Sequence, residues 1–198
     1  MHLIDSIKNK KIRFYFVSLI IYSLIIRAIS SLLVELGNDE VNYWLYAVYP
    51  DLSHFDHPPM VGYLINIFTL NLTFQSEFFI RLASIIIGVI NTILIFLIAR
   101  KLKDETAGFY SALLYNASIY CFVIAGIFIM PDTPLILFWL ITILLLINSI
   151  LLKDITKSAK INLILAGIFI GFAMLSKYTA IFLWLGIILY IIFLTEDG

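Results

Sequence analysis

Charged residues are scarce in this chain of 198 residues. They make up 13% of the sequence, whereas 62% of the residues are hydrophobic and the mean hydropathy is +1.04. Water-soluble domains carry about a quarter charged residues and roughly half apolar ones. The composition therefore excludes an ordinary soluble domain and indicates a protein built for a lipid bilayer.

Cysteine is nearly absent as well. The single cysteine, Cys121, lies in an apolar run, so the chain has no disulfide framework, cysteine-rich metal site or dithiol redox motif. A glycine-rich phosphate loop and a serine nucleophile motif are also missing, which argues against cytosolic nucleotide-sugar chemistry. Basic and acidic residues number 13 each, so no basic excess points to nucleic acid as a partner.

Long apolar runs fill most of the sequence. A membrane-spanning helix needs about 20 mostly apolar residues, and several stretches meet or approach that length. The sequence therefore predicts an all-α, polytopic membrane helix bundle that occupies residues 1–198 as a single transmembrane module. About six spans are expected, at residues 12–36, 78–98, 107–130, 135–152, 161–175 and 180–194.

The first apolar run has a second interpretation as a cleaved signal peptide. Ala28-Ile29-Ser30 resembles a small-residue cleavage site, and a basic segment precedes the run. The run is longer than the apolar part of a signal peptide and carries Arg27 near its end. These features favour an uncleaved first span.

Sorting the charges by loop gives an orientation for the six expected spans. With a cytoplasmic amino terminus, ten of the 13 basic residues fall on the cytoplasmic face, as the positive-inside rule expects. These are Lys8, Lys10, Lys11, Arg13, Arg100, Lys101, Lys103, Lys153, Lys157 and Lys160. The extracytoplasmic face would hold the acids Glu35, Asp39, Glu40, Asp51, Asp56, Glu77 and Asp132.

The loop after the first span, residues 37–77, is far longer than an ordinary connection. We expect two interfacial helices in this extracytoplasmic loop. Asn38 or Asp39 can cap the first, and Pro58-Pro59 precedes the second, which runs to Phe68. One interpretation treats the loop acids as solvated caps and its aromatic residues as an interface belt. The other makes the loop a functional site, with Asp132 reaching the same layer from the end of the third span.

Two basic residues lie on the face that the positive-inside rule disfavours. Arg81 has either an ion pair with Glu77, four residues earlier on the same helix face, or a phosphate as its partner. Lys177 has no acid nearby in sequence, which favours a lipid phosphate or Asp132, against snorkelling to the headgroups.

At these residues the sequence resembles the membrane glycosyltransferases of the GT-C class. The nearest resemblance is to the group of dolichyl-phosphate-mannose protein mannosyltransferases and aminoarabinose lipid A transferases. It covers about residues 12–194, and the motifs agree with that group in order and in topological side. They are Asp39-Glu40, His54-Phe55-Asp56-His57-Pro58-Pro59, Arg81-Leu82, Pro131-Asp132-Thr133-Pro134 and Ser176-Lys177-Tyr178.

The resemblance implies an inverting transfer of a sugar from a polyprenyl-phosphate donor to a lipid, glycan or protein acceptor. The reaction would take place on the extracytoplasmic side of the cell membrane, among membrane lipids. Asp39 would be the general base. Acceptor-contacting or site-lining roles fall to Glu40, Tyr43, Asp56 and Asp132, and donor-phosphate contacts to His57, Arg81 and Lys177.

No cofactor is assigned from the sequence. His54 and His57 with Asp56 offer a possible ligand set for a divalent metal, which some GT-C enzymes use. The two prolines that follow His57 favour an irregular backbone here, which argues against a regular ligand geometry, so we assign no metal ligand.

Members of the resembled group usually have many more spans. The chain is therefore expected to be the amino-terminal part of a larger enzyme, a split or truncated product, or a minimal relative. Two other functions stay open. One is a non-catalytic partner subunit that binds polyprenyl phosphate, and the other is a small transporter, which would more naturally place ionisable residues in mid-span.

Overall fold

The computed structural model describes residues 5–150 and 156–194, and within these ranges it is helical and contains no β-strand. Eight α-helices follow one another along the described chain. They are α1 (Lys10–Leu33), α2 (Asn38–Val48), α3 (Met60–Phe68), α4 (Glu77–Leu102), α5 (Glu105–Ala117), α6 (Asp132–Ile150), α7 (Lys157–Ser176) and α8 (Ile181–Leu194).

Four of the described helices, α1, α4, α6 and α7, are long and apolar enough to cross a membrane. They correspond to the first, second, fourth and fifth spans expected from hydropathy. The longest, α4, has 26 residues and so extends over about 39 Å. The predicted membrane helix bundle is confirmed, and four of the about six expected spans are described as single helices long enough to cross.

The third expected span is not one helix. It begins as α5, which ends at Ala117 because Ser118 is extended, with φ −72° and ψ 122°. A short π-helical turn, Tyr120–Ile124, and irregular backbone follow before α6 begins at Asp132. Hydropathy cannot detect this break, because the residues on both sides of it are apolar. This third expected span, residues 107–130, is called the interrupted segment. It still runs antiparallel along α4, since the Asn116 amide donates to Thr92 Oγ1 at 3.0 Å and Ile129 lies near the start of α4.

The sixth expected span is also shorter than a full crossing. Lys177 is extended, with φ −158° and ψ 137°, which ends α7 and leads through a 3₁₀ turn into α8. At 14 residues, α8 extends over about 21 Å, less than the roughly 30 Å of a hydrocarbon core. The break expected at Ser176-Lys177-Tyr178 is therefore confirmed.

The helix α4 lies at the centre of the bundle and packs against α1, α3, α5 and α6, while α6 and α7 form a hairpin. At one end, the backbone N–H groups of Lys8 and Asn9 donate to the Glu105 carboxylate at 2.8 and 3.0 Å, and Arg100 donates to Ser6 Oγ. These bonds join the start of α1 to α4 and α5. The opposite end carries α2 and α3, and we call it the loop end.

The helices α2 and α3 are the two helices expected in the loop 37–77, and both pack over the loop end of α4. Val61 and Ile65 of α3 are completely buried there, together with Ile80 of α4. Gly62 permits α3 to pack closely against α2, because an added Cβ would lie 2.8 Å from the Tyr46 backbone. The helix pair is therefore held firmly on the bundle.

Candidate active site

An open cavity of about 390 Å³ lies where α1 ends and α2 begins. Its position follows from the turn between the two helices. Gly37 is the N-cap of α2, in extended backbone, so the expectation that Asn38 or Asp39 caps this helix is wrong. Asp39 and Glu40 instead occupy the first turn, where the helix dipole favours negative charge. The cavity is lined by Val34, Glu35, Gly37, Asn38, Asp39, Glu40, Phe128 and Met130.

Glu40 and Arg81 form a buried, bidentate ion pair beside this cavity. Arg81 Nε donates to Glu40 Oε1 at 2.7 Å, and Nη2 donates to Oε2 at 2.5 Å. Glu40 also accepts from the backbone N–H groups of Gly37, at 3.0 Å, and Ile129, at 3.1 Å. The two side chains are 3% and 0% exposed. The pair therefore ties together the start of α2, the start of α4 and the segment before α6.

The remaining donors of Arg81 are also used within the protein. Nη1 donates to the Val34 carbonyl oxygen at 2.5 Å, and Nη2 donates to that of Glu35 at 2.9 Å, which fixes the end of α1. The carboxylate that pairs with Arg81 is thus Glu40 rather than Glu77. Because Arg81 is buried and saturated with acceptors, its contacts do not support a bond to a donor phosphate.

Asp39 has the opposite environment from its neighbour Glu40. It is exposed, it lines the cavity, and it makes no ion pair or hydrogen bond among the described residues. Successive residues of a helix point about 100° apart, which separates the two carboxylates. Asp39 is therefore a free carboxylate on the cavity wall, held in place by the buried pair beside it.

Tyr43 lies one turn after Asp39 and brings several expected site residues together. Burial is the largest of the causes that raise the pKa of Tyr43 to about 12, and the negative charges of Asp39, Asp132 and Asp56 contribute to the same shift. Its ring centroid lies 5.8 Å from that of His57. The phenol thus marks the region that these three carboxylates and His57 share.

The loop between α2 and α3 holds both of its histidines against α2. The His54 ring stacks on Tyr46 with centroids 3.7 Å apart, and its backbone N–H donates to the His57 carbonyl oxygen at 3.3 Å. His54 Nε2 and His57 Nδ1 are buried without a hydrogen-bond partner. Among the described residues, no three histidine, cysteine, aspartate or glutamate side chains are grouped as a metal site.

A second ion pair joins α6 to the end of α7. Lys177 Nζ donates to both carboxylate oxygens of Asp132, at 2.8 and 3.0 Å, and the Tyr120 hydroxyl donates to Asp132 Oδ1. The sequence left a lipid phosphate and Asp132 open as partners of Lys177, and in the structure Lys177 pairs with Asp132. The Lys177 side chain remains 27% exposed, whereas Asp132 is nearly buried.

The segment Phe128–Thr133 connects the two ion pairs. The Phe128 ring centroid lies 5.4 Å from the Arg81 guanidinium, and the next residue, Ile129, donates to Glu40. Thr133 then contacts Ser84 of α4 through their hydroxyl oxygens, 3.4 Å apart. The site is therefore assembled from the end of α1, the start of α2, the interrupted segment and the end of α7.

Two polar features of this region escaped the sequence reasoning. Tyr120 was missed because it contacts Asp132 across a break in the helix, where no periodic pattern applies. Arg27 was noted only as a residue near the end of the first span. The spacing of Ser23, Arg27 and Ser31, four residues apart, marks a polar stripe on one face of α1, and all three are buried.

The fold and the polar site at its loop end define the class of protein: an all-helical membrane protein of GT-C-like architecture. The family of dolichyl-phosphate-mannose-protein mannosyltransferases matches residues 56–197, most of the chain, and the chain belongs to this family. Membership implies a membrane glycosyltransferase of the mannosyltransferase type. The matched segment includes Asp132 and Lys177, whereas Asp39 lies before it. No curated protein and no solved structure matches the chain.

Proposed function

We propose that the chain transfers a sugar from a polyprenyl-phosphate donor to a hydroxyl of a lipid, glycan or protein acceptor. The observation that carries the proposal is the state of Asp39. It is an exposed carboxylate in the first turn of α2 that lines the cavity, without an ion pair or hydrogen bond among the described residues. It lies on the cavity wall beside Glu40, which is occupied by Arg81. A general base needs an accessible carboxylate within reach of the acceptor hydroxyl, and Asp39 meets that requirement.

The reaction is an inverting displacement. Asp39 takes the proton of the acceptor hydroxyl while the acceptor oxygen forms a bond to the anomeric carbon of the sugar. The bond from that carbon to the phosphate oxygen breaks, and polyprenyl phosphate leaves with the electron pair. At the end of the step the proton is on Asp39, and the new glycosidic bond has the opposite anomeric configuration.

The leaving phosphate needs positive charge or hydrogen-bond donors. Lys177 is suited to this role because an ammonium has three donors, two of which go to Asp132, and because its side chain is partly exposed. The His57 ring lies next to the Tyr43 ring, and its Nδ1 atom has no hydrogen-bond partner. We assign Lys177 and His57 to the phosphate, Asp132 to the orientation of Lys177, and Tyr43 and Asp56 to the site lining.

Glu40 and Arg81 act as positioning residues in this proposal. Their pair fixes the first turn of α2, so the neighbouring Asp39 keeps one orientation toward the cavity. A base that is held in place loses less conformational freedom when substrate binds, which lowers the barrier. Arg81 thus contributes through Glu40 and does not touch the donor.

The proposed topology places the amino terminus in the cytoplasm and the loop end outside. In the structure, the basic segments at the start of α1 and the end of α4 share one end of the bundle, and Asp39 and Asp132 lie at the other. The whole chain then acts as one transmembrane module, with residues 37–77 as its extracytoplasmic loop, in the cell membrane.

The test is a transfer assay on membranes that contain the chain, with radiolabelled dolichyl-phosphate mannose and a hydroxyl acceptor. Asp39→Asn removes the base, and we expect the transfer rate to fall by about 10²–10⁴-fold with donor binding unchanged. Asp51→Asn is the matched control, because Asp51 is an exposed carboxylate of the same loop and should retain full activity.

Three outcomes decide the proposal. Transfer that survives Asp39→Asn would remove Asp39 as the base. Donor binding without any transfer by the wild-type chain would favour a non-catalytic subunit that binds polyprenyl phosphate. Retention of anomeric configuration in the product would exclude a single displacement.

A further inference from the structure

Arg27 is a buried cation with no hydrogen-bond or carboxylate partner among the described residues. It lies on α1 within the membrane-spanning part of the bundle, and it is 0% exposed. None of its three guanidinium nitrogens has a hydrogen-bond partner, and no carboxylate among the described residues pairs with it. A charged side chain inside a membrane protein is costly unless something satisfies it. Arg27 therefore has unused hydrogen-bond donors that an anionic ligand could fill.

The surroundings of Arg27 contain further unsatisfied polar atoms. Tyr115 and Cys121 of the interrupted segment lie close enough to Arg27 to interact with its charge, and Asn91 of α4 lies beside Tyr115. The Tyr115 hydroxyl and the Asn91 amide are buried and have no hydrogen-bond partner outside this pair, and the amide oxygen of Asn116 is buried without a partner. Buried polar groups are usually satisfied, so this cluster marks a polar chamber.

Two glycines leave the space that the Arg27 guanidinium occupies. A Cβ added at Gly88 of α4 would lie 2.9 Å from Arg27 Cζ and Nε, and one added at Gly126 would lie 2.9 Å from Nε. A side chain at either position would therefore force the guanidinium to shift. The backbone thus leaves a space that the Arg27 head fills, and the break between α5 and α6 provides one side of it.

A groove on the outside of the bundle leads to this chamber. The groove has a volume of about 320 Å³ and runs between α1 and α5. The Phe122 ring lines it and also covers the guanidinium, with its centroid 4.4 Å from Arg27 Cζ. Phe122 therefore separates the cation from the groove. The other lining residues are Leu19, Tyr22, Ser23, Ile26, Leu113, Asn116 and Ala117.

We propose that Arg27 anchors a binding site for a membrane lipid whose head is a phosphate monoester. The head reaches Arg27 when the Phe122 ring rotates aside, and the apolar tail lies in the groove. A guanidinium matches a phosphate with two parallel hydrogen bonds, and all three guanidinium nitrogens of Arg27 are unused. This site is separate from the Asp39 cavity and does not depend on the transfer reaction.

The depth of Arg27 fits a lipid that enters from the loop end. Arg27 lies six residues before the end of α1 at Leu33, which places it about 9 Å inside that end. The groove continues from there past Ile26 to Leu19, toward the opposite end of the bundle. A lipid with its head at Arg27 thus has its tail pointing toward the middle of the membrane.

The test uses the single cysteine as a local reporter. Cys121 lies beside Arg27 and is partly exposed, so a trifluoromethyl label on it reports on the chamber by ¹⁹F NMR. The full chain in neutral phosphatidylcholine nanodiscs is titrated with geranyl phosphate. We expect a saturable shift of the signal, and Arg27→Gln should weaken the apparent affinity by about tenfold or more, equivalent to 1.4 kcal/mol.

Three controls separate this site from other ways of binding. Arg13→Gln removes an exposed arginine of the same helix and should not change the titration. Lys177→Met removes the cation at the loop end and should also leave the shift at Cys121 intact. Phe122→Ala opens the groove and should strengthen binding of geranyl phosphate, which supports the proposal even if Arg27→Gln fails to fold.

Several results would overturn the proposal. An unchanged shift in Arg27→Gln, or its loss in Lys177→Met, would place the phosphate elsewhere. An equal response to geraniol would mean that the groove binds apolar tails alone. An equal response to inorganic phosphate would mean a site for a free anion rather than a lipid head.

Discussion

Two arginines are completely buried where α1 and α4 meet, and their surroundings are opposite. Arg81 of α4 has a bidentate carboxylate and three backbone carbonyl oxygens, whereas Arg27 of α1 has no hydrogen-bond partner. Each lies near an aromatic ring of the same interrupted segment, Phe128 and Phe122 respectively. Burial and aromatic contact are therefore alike, and the difference lies in the counter-charge.

This difference separates a structural cation from a binding cation. The Arg81 guanidinium is saturated, so it can hold helices together but has no donor left for a ligand. Arg27 carries the same charge with its donors unused, which makes it a receptor for an anion. Sequence position alone would have favoured Arg81 as the ligand-binding residue, because it lies nearer the loop end.

The largest effect is expected when the carboxylate partner of Arg81 is removed. Glu40→Gln leaves the Arg81 charge buried without compensation, which costs about 3–5 kcal/mol of folding free energy. Unfolding of the detergent-solubilised chain by denaturant measures this loss. Glu35→Gln is the control, because Glu35 contributes only its carbonyl oxygen to Arg81 and its side chain is exposed. Equal stability of the two variants would show that the pair is unimportant.

A smaller loss of folding free energy is expected from Gly88→Ala, which places a methyl group in the space of the Arg27 guanidinium. The new methyl group would lie 2.9 Å from the guanidinium, and overpacking of this kind costs about 1–3 kcal/mol. In an Arg27→Ala background the loss should disappear, which a double-mutant cycle would measure. Gly171→Ala is the control, because an added Cβ there meets nothing within 4 Å. A full loss in both backgrounds would mean that the clash involves other atoms.

Arg27→Met should not destabilise the chain as Glu40→Gln does. Methionine fills much of the same space and removes a buried charge that no carboxylate balances. We expect the free energy of unfolding to stay constant or to rise by about 1 kcal/mol when no phosphate lipid is present. A loss as large as that of Glu40→Gln, in the same denaturant assay, would reveal a counter-charge for Arg27 in the folded chain.

The smallest effect concerns Tyr43, a buried group that can remain neutral where the arginines cannot. Its pKa is raised by burial to about 12, above the usual value of about 10. The unfolded chain therefore ionises first, so the stability contribution is complete below about pH 10 and is lost as the pH rises toward 12. Thermal unfolding from pH 9 to 12 should show a shallower loss for Tyr43→Phe. The exposed Tyr49→Phe should behave like the wild type.

Hydropathy and local spacing predicted a large part of this fold. The helices α1, α4, α6 and α7, the pair α2 and α3, and the break at Lys177 all follow from apolar run length and from punctuation by glycine and proline. The break between α5 and α6 did not follow, because the segment is apolar throughout and its helix ends through local backbone geometry. The third expected span is therefore interrupted rather than one continuous helix.

The candidate site divides in the same way. From the sequence, Asp39, Asp56 and Asp132 could be assigned to one layer, and the structure groups all three around Tyr43. The pairing of charges could not be assigned, since Glu40 and Arg81 are 41 residues apart and Lys177 and Asp132 are 45 apart. Sequence reasoning left Glu77 and a phosphate open as partners of Arg81, and the tertiary structure supplies Glu40 instead.

The sequence by itself determined that the chain belongs in a membrane, that its acids and bases separate by loop, and which residue types are available for chemistry. These properties depend on composition and on local periodicity. The tertiary structure decided which charges neutralise one another and which stay free, because that depends on contacts between helices distant in the chain. Asp39 and Arg27 are of interest for one reason: folding gave partners to Glu40 and Arg81 and left these two without.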